Sequence, residues 1–253
     1  MKTKLTYILL VFISSLTLAF GQENSAVFNS ANEAYNKGNY EEAITQYKSI
    51  LDSGEYSAEV YYNLANAYYK TNVIGPSIYY FEKALQLSPN DDDILNNLSF
   101  ARNMTIDAIE PLPKTQLSKF VGNITEKFSY DQWAWIAVLF GFLCVLSFLL
   151  YQFAYRSLQK RIYFLISFIT LIFMFGTVAV AYQQYEKAQQ DRPAIIFATE
   201  TTVKAEPNLR SDAVFTLHEG TKVQVLDTVG DWKKIRLIDG KIGWIIAEDV
   251  NEL

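Results

Sequence analysis

The spacing of apolar residues changes three times along the chain, and each change marks a different kind of element. Between residues 24 and 107, small and aromatic side chains recur three or four positions apart, as they do on helices with one buried face. Two runs then lose charge altogether, from Trp133 to Tyr155 and from Ile162 to Tyr182. Each exceeds the ~20 residues that a helix needs to cross ~30 Å of hydrocarbon. Trp133, Trp135, Tyr151, Tyr155, Tyr163, Tyr182 and Tyr185 lie near the ends of these runs, where interfacial aromatics sit. A buried hairpin in a soluble protein is the alternative, and two uncharged runs of this length disfavour it. From Ile195 the period shortens to two, and short β-rich runs alternate with turn residues. They predict strands at Thr201–Ala205, Val214–Leu217, Lys222–Thr228, Trp232–Leu237 and Ile242–Ala247, with hairpin turns at Val229-Gly230-Asp231 and Ile238-Asp239-Gly240-Lys241. The chain therefore reads as a multi-domain membrane protein with an all-α part, a two-helix transmembrane hairpin (133–155 and 162–182) and a small all-β barrel (193–253).

The helical part repeats itself after 34 residues, the period of a helix–turn–helix unit. Tyr61, Leu64, Ala65, Tyr68, Phe81, Ala84 and Pro89 mark the second copy, and Ala31, Tyr35, Gly38, Tyr40, Ala43, Tyr47 and Leu51 the first. Small Ala31, Ala43, Ala65 and Ala84 let helices approach closely, Tyr47 and Phe81 fill the space between turns, and Pro89 ends a helix. Ser77 stands where the pattern expects Ala, just after Gly75-Pro76. Asn90-Asp91-Asp92-Asp93 supplies an N-cap and first-turn acids for a further helix. These positions resemble the tetratricopeptide repeat. The resemblance implies repeats at 24–57 and 58–91, a cap helix at 92–107, and a repeat domain spanning 22–110. Two repeats are short for a stack that normally needs about three, so either the cap suffices or a partner completes it. By the same resemblance the concave face carries Phe28, Asn32, Tyr35, Tyr62, Asn66, Tyr69, Lys70, Asn96 and Phe100, a surface suited to a peptide segment or helix of another protein. Several of these tyrosines equally suit packing between helices. A clamp for carboxylates needs a row of bases, and only Lys70 is well placed.

The flanks of the apolar runs predict a topology. Residues 1–21 read as a secretory signal: Lys2 and Lys4, the apolar stretch Tyr7–Phe20, and Ala19-Phe20-Gly21 as a cleavage site, an uncleaved anchor being the alternative. The connector 156–161 carries Arg156, Lys160 and Arg161 and no acid, so it is expected in the cytoplasm, with both flanking regions on the outer side. Pro111-Leu112-Pro113 breaks the chain after the cap helix. Leu117, Phe120, Val121, Ile124 and Phe128 then form an apolar stripe within the linker 111–132. It is read as an amphipathic helix in the lipid headgroups, or else as a soluble helix packed on the repeats. Residues 22–113 hold 13 acids and 5 bases, 193–253 hold 10 and 7, and 114–192 hold 4 and 8. The acidic parts are the exposed domains, and the basic part flanks the membrane.

In the β-rich part, the runs Thr202–Pro207, Leu217–Val223, Gly230–Ile235 and Asp239–Ile245 resemble successive segments of the bacterial SH3-like domain. That resemblance implies recognition of peptidoglycan or peptide segments outside the cytoplasm. Trp232 and Trp244 could line a ligand face, or belong to the packing of the barrel. His218, beside Glu219, is expected to be an exposed turn residue, since one His without partners completes no metal shell.

The remaining composition narrows the function classes. Net charge −5 argues against nucleic acid, whose phosphates require a basic face. The single cysteine, Cys144, lies in an apolar run, and the single histidine is His218. No nucleophile motif, phosphate loop or metal-ligand spacing appears, so neither an enzyme nor a metal or other cofactor is expected. In its order of parts, the Ile109-Glu110-Pro111-Leu112-Pro113 linker and the run Leu217–Trp232, the chain resembles the tetratricopeptide member of the Bacteroides aerotolerance (Bat) proteins. The resemblance implies a periplasm-facing partner of other Bat membrane proteins, some with von Willebrand A domains, associated with a MoxR-type ATPase. Two functions follow as expectations: an inner-membrane scaffold binding partner proteins, or a peptidoglycan-binding cell-wall sensor.

Overall fold

The structure is a computed structural model that describes residues 25–113 and 115–253. The expected signal sequence lies outside the described residues. The chain divides into two compact units, one formed by the segments up to Glu110 and from Arg192, the other by Pro111–Asp191.

In the first unit, α1 (25–36), α2 (Tyr40–Asp52), α3 (Ala58–Lys70), α4 (Ile74–Leu87) and α5 (Asp92–Arg102) form successive antiparallel helices. Their boundaries follow local chemistry. The Ser57 hydroxyl accepts from Val60 N–H and the Asp91 carboxylate from Asp93 and Ile94 N–H, capping α3 and α5. Gly38 (φ 84°) and Asn72 (φ 61°) stand one repeat apart at the turns after α1 and α3, where a left-handed residue is needed. Ala31, Ala43, Ala65, Ala84 and Phe81 are fully buried and Tyr47 nearly so. Ser77 is buried as well, and its hydroxyl donates to the Ala65 carbonyl at 3.0 Å. A serine is thus accommodated where the repeat expects alanine, because its one buried polar group has a partner.

The same unit contains an antiparallel sheet of β1 (Pro193–Ile196), β2 (Glu200–Lys204), β3 (Ala213–His218), β4 (Lys222–Val229), β5 (Trp232–Arg236), β6 (Ile242–Ile246) and β7 (Val250–Glu252). Its order is β3-β2-β6-β5-β4-β1-β7. Val203, Leu217, Val223, Val225, Ile235, Leu237, Ile245 and Val250 form its core. The helical repeats, the apolar hairpin and this SH3-like sheet together are the architecture of a multi-domain membrane protein. Strands β1 and β7 were not expected, and in β1 the run Ala194-Ile195-Ile196 does not alternate. The reason lies in the packing: Ala194 and Ile196 enter the core of the sheet, while Ile195 enters that of the repeats with Ile78, Phe81 and Leu98. A strand buried on both faces reads as a continuous apolar run.

The second unit holds α6 (Gln116–Thr125), α7 (Tyr130–Phe153) and α8 (Ser157–Gln190). Ser129 and Gln132 form a reciprocal cap that starts α7. Both α7 and α8 are long and apolar enough to cross a membrane, with mean hydropathy 2.4 in their most apolar stretch. Most of their side chains face outward, Phe142 and Phe175 being more than 60% exposed, so water is not their solvent and this is a membrane protein. Small and polar side chains hold the pair together. Gly141 admits the sulfur of Met174, Phe140 stacks on Phe173 at 5.4 Å, and the Ser167 hydroxyl donates to the Cys144 carbonyl at 3.3 Å. Beside them, the Thr125 carbonyl accepts from the Trp133 indole and from the Gln184 amide, tying α6 to both helices. Leu117, Phe120, Val121 and Ile124 of α6 are exposed, an apolar stripe left open to its surroundings.

Candidate functional site

A groove of about 530 Å³ runs along the first helices of the repeats. Asn32, Tyr35 and Asn36 come from α1, Tyr62, Asn63, Asn66, Tyr69 and Lys70 from α3, and Asn97 and Phe100 from α5, with Tyr47 at the floor. Positions three, four and seven apart on a helix share a face, which is why each helix contributes these spacings. Asn32, Asn66 and Phe100 occupy one position in successive repeats, so the groove inherits the period of the sequence.

Hydrogen bonds order its wall. Tyr47 Oη and Asn63 Nδ2 both donate to Asn32 Oδ1, at 2.5 and 3.1 Å. Asn97 Nδ2 donates to Tyr62 Oη at 2.8 Å and to Asn66 Oδ1 at 3.0 Å, linking α5 to α3. Burial, then the neighbouring Tyr35, push the Tyr47 phenol up to about 12, so it remains a neutral donor under all ordinary conditions. Among the described residues of the lining, Lys70 is the only charged one, and none is a carboxylate. The surface therefore offers amides, phenols, one cation and the half-exposed ring of Phe100.

The structure brings Asn32, Tyr35, Tyr62, Asn66, Tyr69, Lys70 and Phe100 together around this groove. Phe28 is elsewhere. It lines a separate depression with Tyr56 and Val60, its ring 6.0 Å from that of Tyr47. Asn96 is exposed, and its neighbour Asn97, turned by 100° on the helix, takes the place expected of it. Asn36, Tyr47, Asn63 and Asn97 were missed, although periodicity marks two of them: Asn36 stands one repeat before Lys70, and Asn97 one repeat after Asn63. Tyr62 serves both readings, since it packs on Phe81 at 5.9 Å between ring centres while its hydroxyl faces the groove.

Both tryptophans of the sheet lie on its outer surface. Trp244 on β6 stands opposite Lys234 on β5, whose ammonium lies 5.8 Å from the indole. Trp232, Ile242 and Ile246 share that face by strand alternation. Packing in the barrel core is not the role of either indole, since the inward positions beside Trp244 belong to Gly243 and Ile245. Gly243 has no room for a side chain, because a Cβ there would lie 2.3 Å from Val203 Cγ1.

His218 is not the exposed turn residue expected. It ends β3, half-buried, with its backbone N–H donating to Asp107 Oδ2 and its Nδ1 facing Asp107 Oδ1, both at 2.8 Å. The Thr221 hydroxyl adds a third contact to the same carboxylate at 2.5 Å. Burial would raise the Asp107 carboxyl, but the bonds from Thr221 and His218 outweigh it and hold it below the usual value.

Residues 199–251 match the family model of the bacterial SH3 domain, and residues 58–91 that of the tetratricopeptide repeat. No curated protein matches the chain. Both modules serve protein–protein interaction and are typically non-catalytic, and no enzyme family is indicated. The protein is thus a membrane protein carrying two interaction modules.

Proposed function

We propose that the protein is a non-enzymatic scaffold of the bacterial inner membrane, its repeats and SH3-like domain both periplasmic, gripping a segment of a partner polypeptide in the repeat groove. The observation that carries this reading is the pre-ordered groove wall. Its amides supply donors and acceptors for a polypeptide main chain, and Tyr35, Tyr69 and Phe100 supply apolar contact at low entropic cost. Lys70, with no carboxylate among the described lining residues, favours a neutral or acidic segment over a basic one. The resemblance to Bat proteins supplies the partner class: other Bat membrane proteins of the von Willebrand A type. A second reading, peptidoglycan binding, is supported by Trp232 and Trp244, which share the outer face of the sheet.

Phe100→Ala separates binding from folding, because the ring is 58% exposed. As a hot spot it should cost roughly 2 kcal/mol of binding, about thirty-fold in Kd, while stability changes by no more than about 0.5 kcal/mol. The assay is titration of the full chain in detergent with a purified von Willebrand A-domain Bat protein. Unchanged affinity in a folded variant would remove the groove from the interaction. Co-sedimentation of the full chain with purified sacculi, lost in Trp244→Ala, would instead support the cell-wall reading.

A further inference from the structure

The repeats end where the sheet begins to cover them. Two repeats and α5 leave an apolar surface at the end of the stack, and a stack this short does not stabilise itself easily. That surface is covered by β1 and the β3–β4 turn. Ile195 is fully buried within the repeat core, Leu253 packs on the same cluster, and Phe197 meets Tyr79 edge to face at 5.4 Å. The approach is close enough to exclude side chains. A Cβ on Gly75 of α4 would lie 2.8 Å from the Ile196 carbonyl, and one on Gly220 would lie 2.8 Å from Thr105 Cγ2 and 3.0 Å from Ile78 Cδ1.

Charge fixes the contact at two points. Glu82 of α4 is nearly buried, and its carboxylate takes Arg102 of α5 at 2.5 Å and Lys222 of β4 at 2.8 Å. A buried carboxylate with two cations from two different elements tolerates little displacement of either. Asp107 forms the second point through His218 and Thr221. The chain exits are held by the same sheet. Asp107 and Ile109, which packs on the sheet core, lie just before the segment leading to α7. Arg192, just after α8, pairs with Glu252 of β7 at 3.0 Å, and its carbonyl accepts from Val225 N–H at 2.9 Å.

We infer that the repeats and the SH3-like sheet form one cooperative body, in which the sheet is the terminal cap of the repeat stack and Glu82 and Asp107 are its latches. The membrane hairpin is then an insertion within that body, and both arms of the chain lie on the same side of the bilayer. This goes beyond the adaptor reading and does not depend on what the groove binds. It reaches the same-side arrangement from shared core and ion pairs, independently of the basic connector.

Two measurements on the full chain test it. With Trp133→Phe and Trp135→Phe, the remaining tryptophans Trp232 and Trp244 report the sheet alone, while ellipticity at 222 nm reports the helices. In detergent micelles, urea should give coincident midpoints for the two probes, and Asp107→Ala or Glu82→Gln should separate them, the sheet leaving first. Separate midpoints in the parent chain, or latch variants that leave both midpoints where they were, would overturn the inference. In sealed vesicles of a Cys144→Ser chain, a membrane-impermeant maleimide should label Lys37→Cys and Leu209→Cys from one face and Tyr155→Cys only from the other. Labelling of the two arms from opposite faces would overturn it even if the latch variants failed to fold.

Discussion

Replacing Gly75 by alanine sets a local gain against a longer-range clash. Gly75 lies in the first turn of α4, where alanine is favoured over glycine by up to about 1 kcal/mol. Were α4 an ordinary helix, Gly75→Ala would stabilise the chain. The added methyl, however, would stand 2.8 Å from the Ile196 carbonyl and 3.5 Å from both Glu219 Cβ and Gly220 N. That carbonyl cannot swing aside freely, since it accepts from Gly220 N–H at 2.9 Å. Overpacking costs about 1–3 kcal/mol, and a lost backbone hydrogen bond about 1 kcal/mol more. The contact between repeats and sheet should therefore weaken by about 1–3 kcal/mol net, roughly five-fold to 150-fold in its equilibrium constant. Urea unfolding of the full chain, followed through Trp232 and Trp244 with the membrane tryptophans replaced, reads this directly. The midpoint of the sheet should fall by more than that of the helices. A rise in both midpoints would refute the reasoning, because only the local helix preference would then be acting.

Ala65→Leu should cost roughly 1–3 kcal/mol by overpacking, since Ala65 is fully buried and its carbonyl is held by Ser77; the fall in the helical midpoint measures it. The latch predicts a pH dependence with a definite sign. Because the Asp107 carboxyl lies below its ordinary value of 3.8, its contribution is complete above that value and lost as pH falls through the depressed one. An acid titration of sheet fluorescence should accordingly show detachment below about pH 4, and Asp107→Asn should flatten that slope. The Glu252 carboxyl, held down against the effect of burial by Arg192 and Lys233, acts with the same sign.

Much of the architecture was legible because its signals are local. Helix and strand periods, a 34-residue repeat and charge-free runs each depend on neighbouring residues alone. Most of the groove lining was legible for the same reason, since a repeat places equivalent positions on one surface. What escaped was long-range. Ile195 looks like any apolar residue, and nothing in Asp107 or Glu82 announces a partner more than 100 positions away. His218 was misjudged on that account, because its environment is supplied by the segment after α5 and not by its own turn. The resemblance to the tetratricopeptide repeat placed Phe28 on the concave face, but its ring lies against Tyr47 and lines a separate depression. The tryptophans were ambiguous until strand register showed which residues point inward.

The doubly buried β1 bears on how this protein can be divided. The stretch recognisable as a bacterial SH3 domain begins at residue 199, after β1 has ended at Ile196. A fragment cut at that recognisable boundary would strip β4 and β7 of a shared neighbour and leave two bare sheet edges, the arrangement that invites chain-to-chain pairing. A fragment that kept β1 would expose Ile195 and Phe197 to water instead. The stretch recognisable as the domain and the unit that can stand alone in solution therefore differ here. A gene segment encoding this sheet would transfer cleanly only together with a surface to cover it.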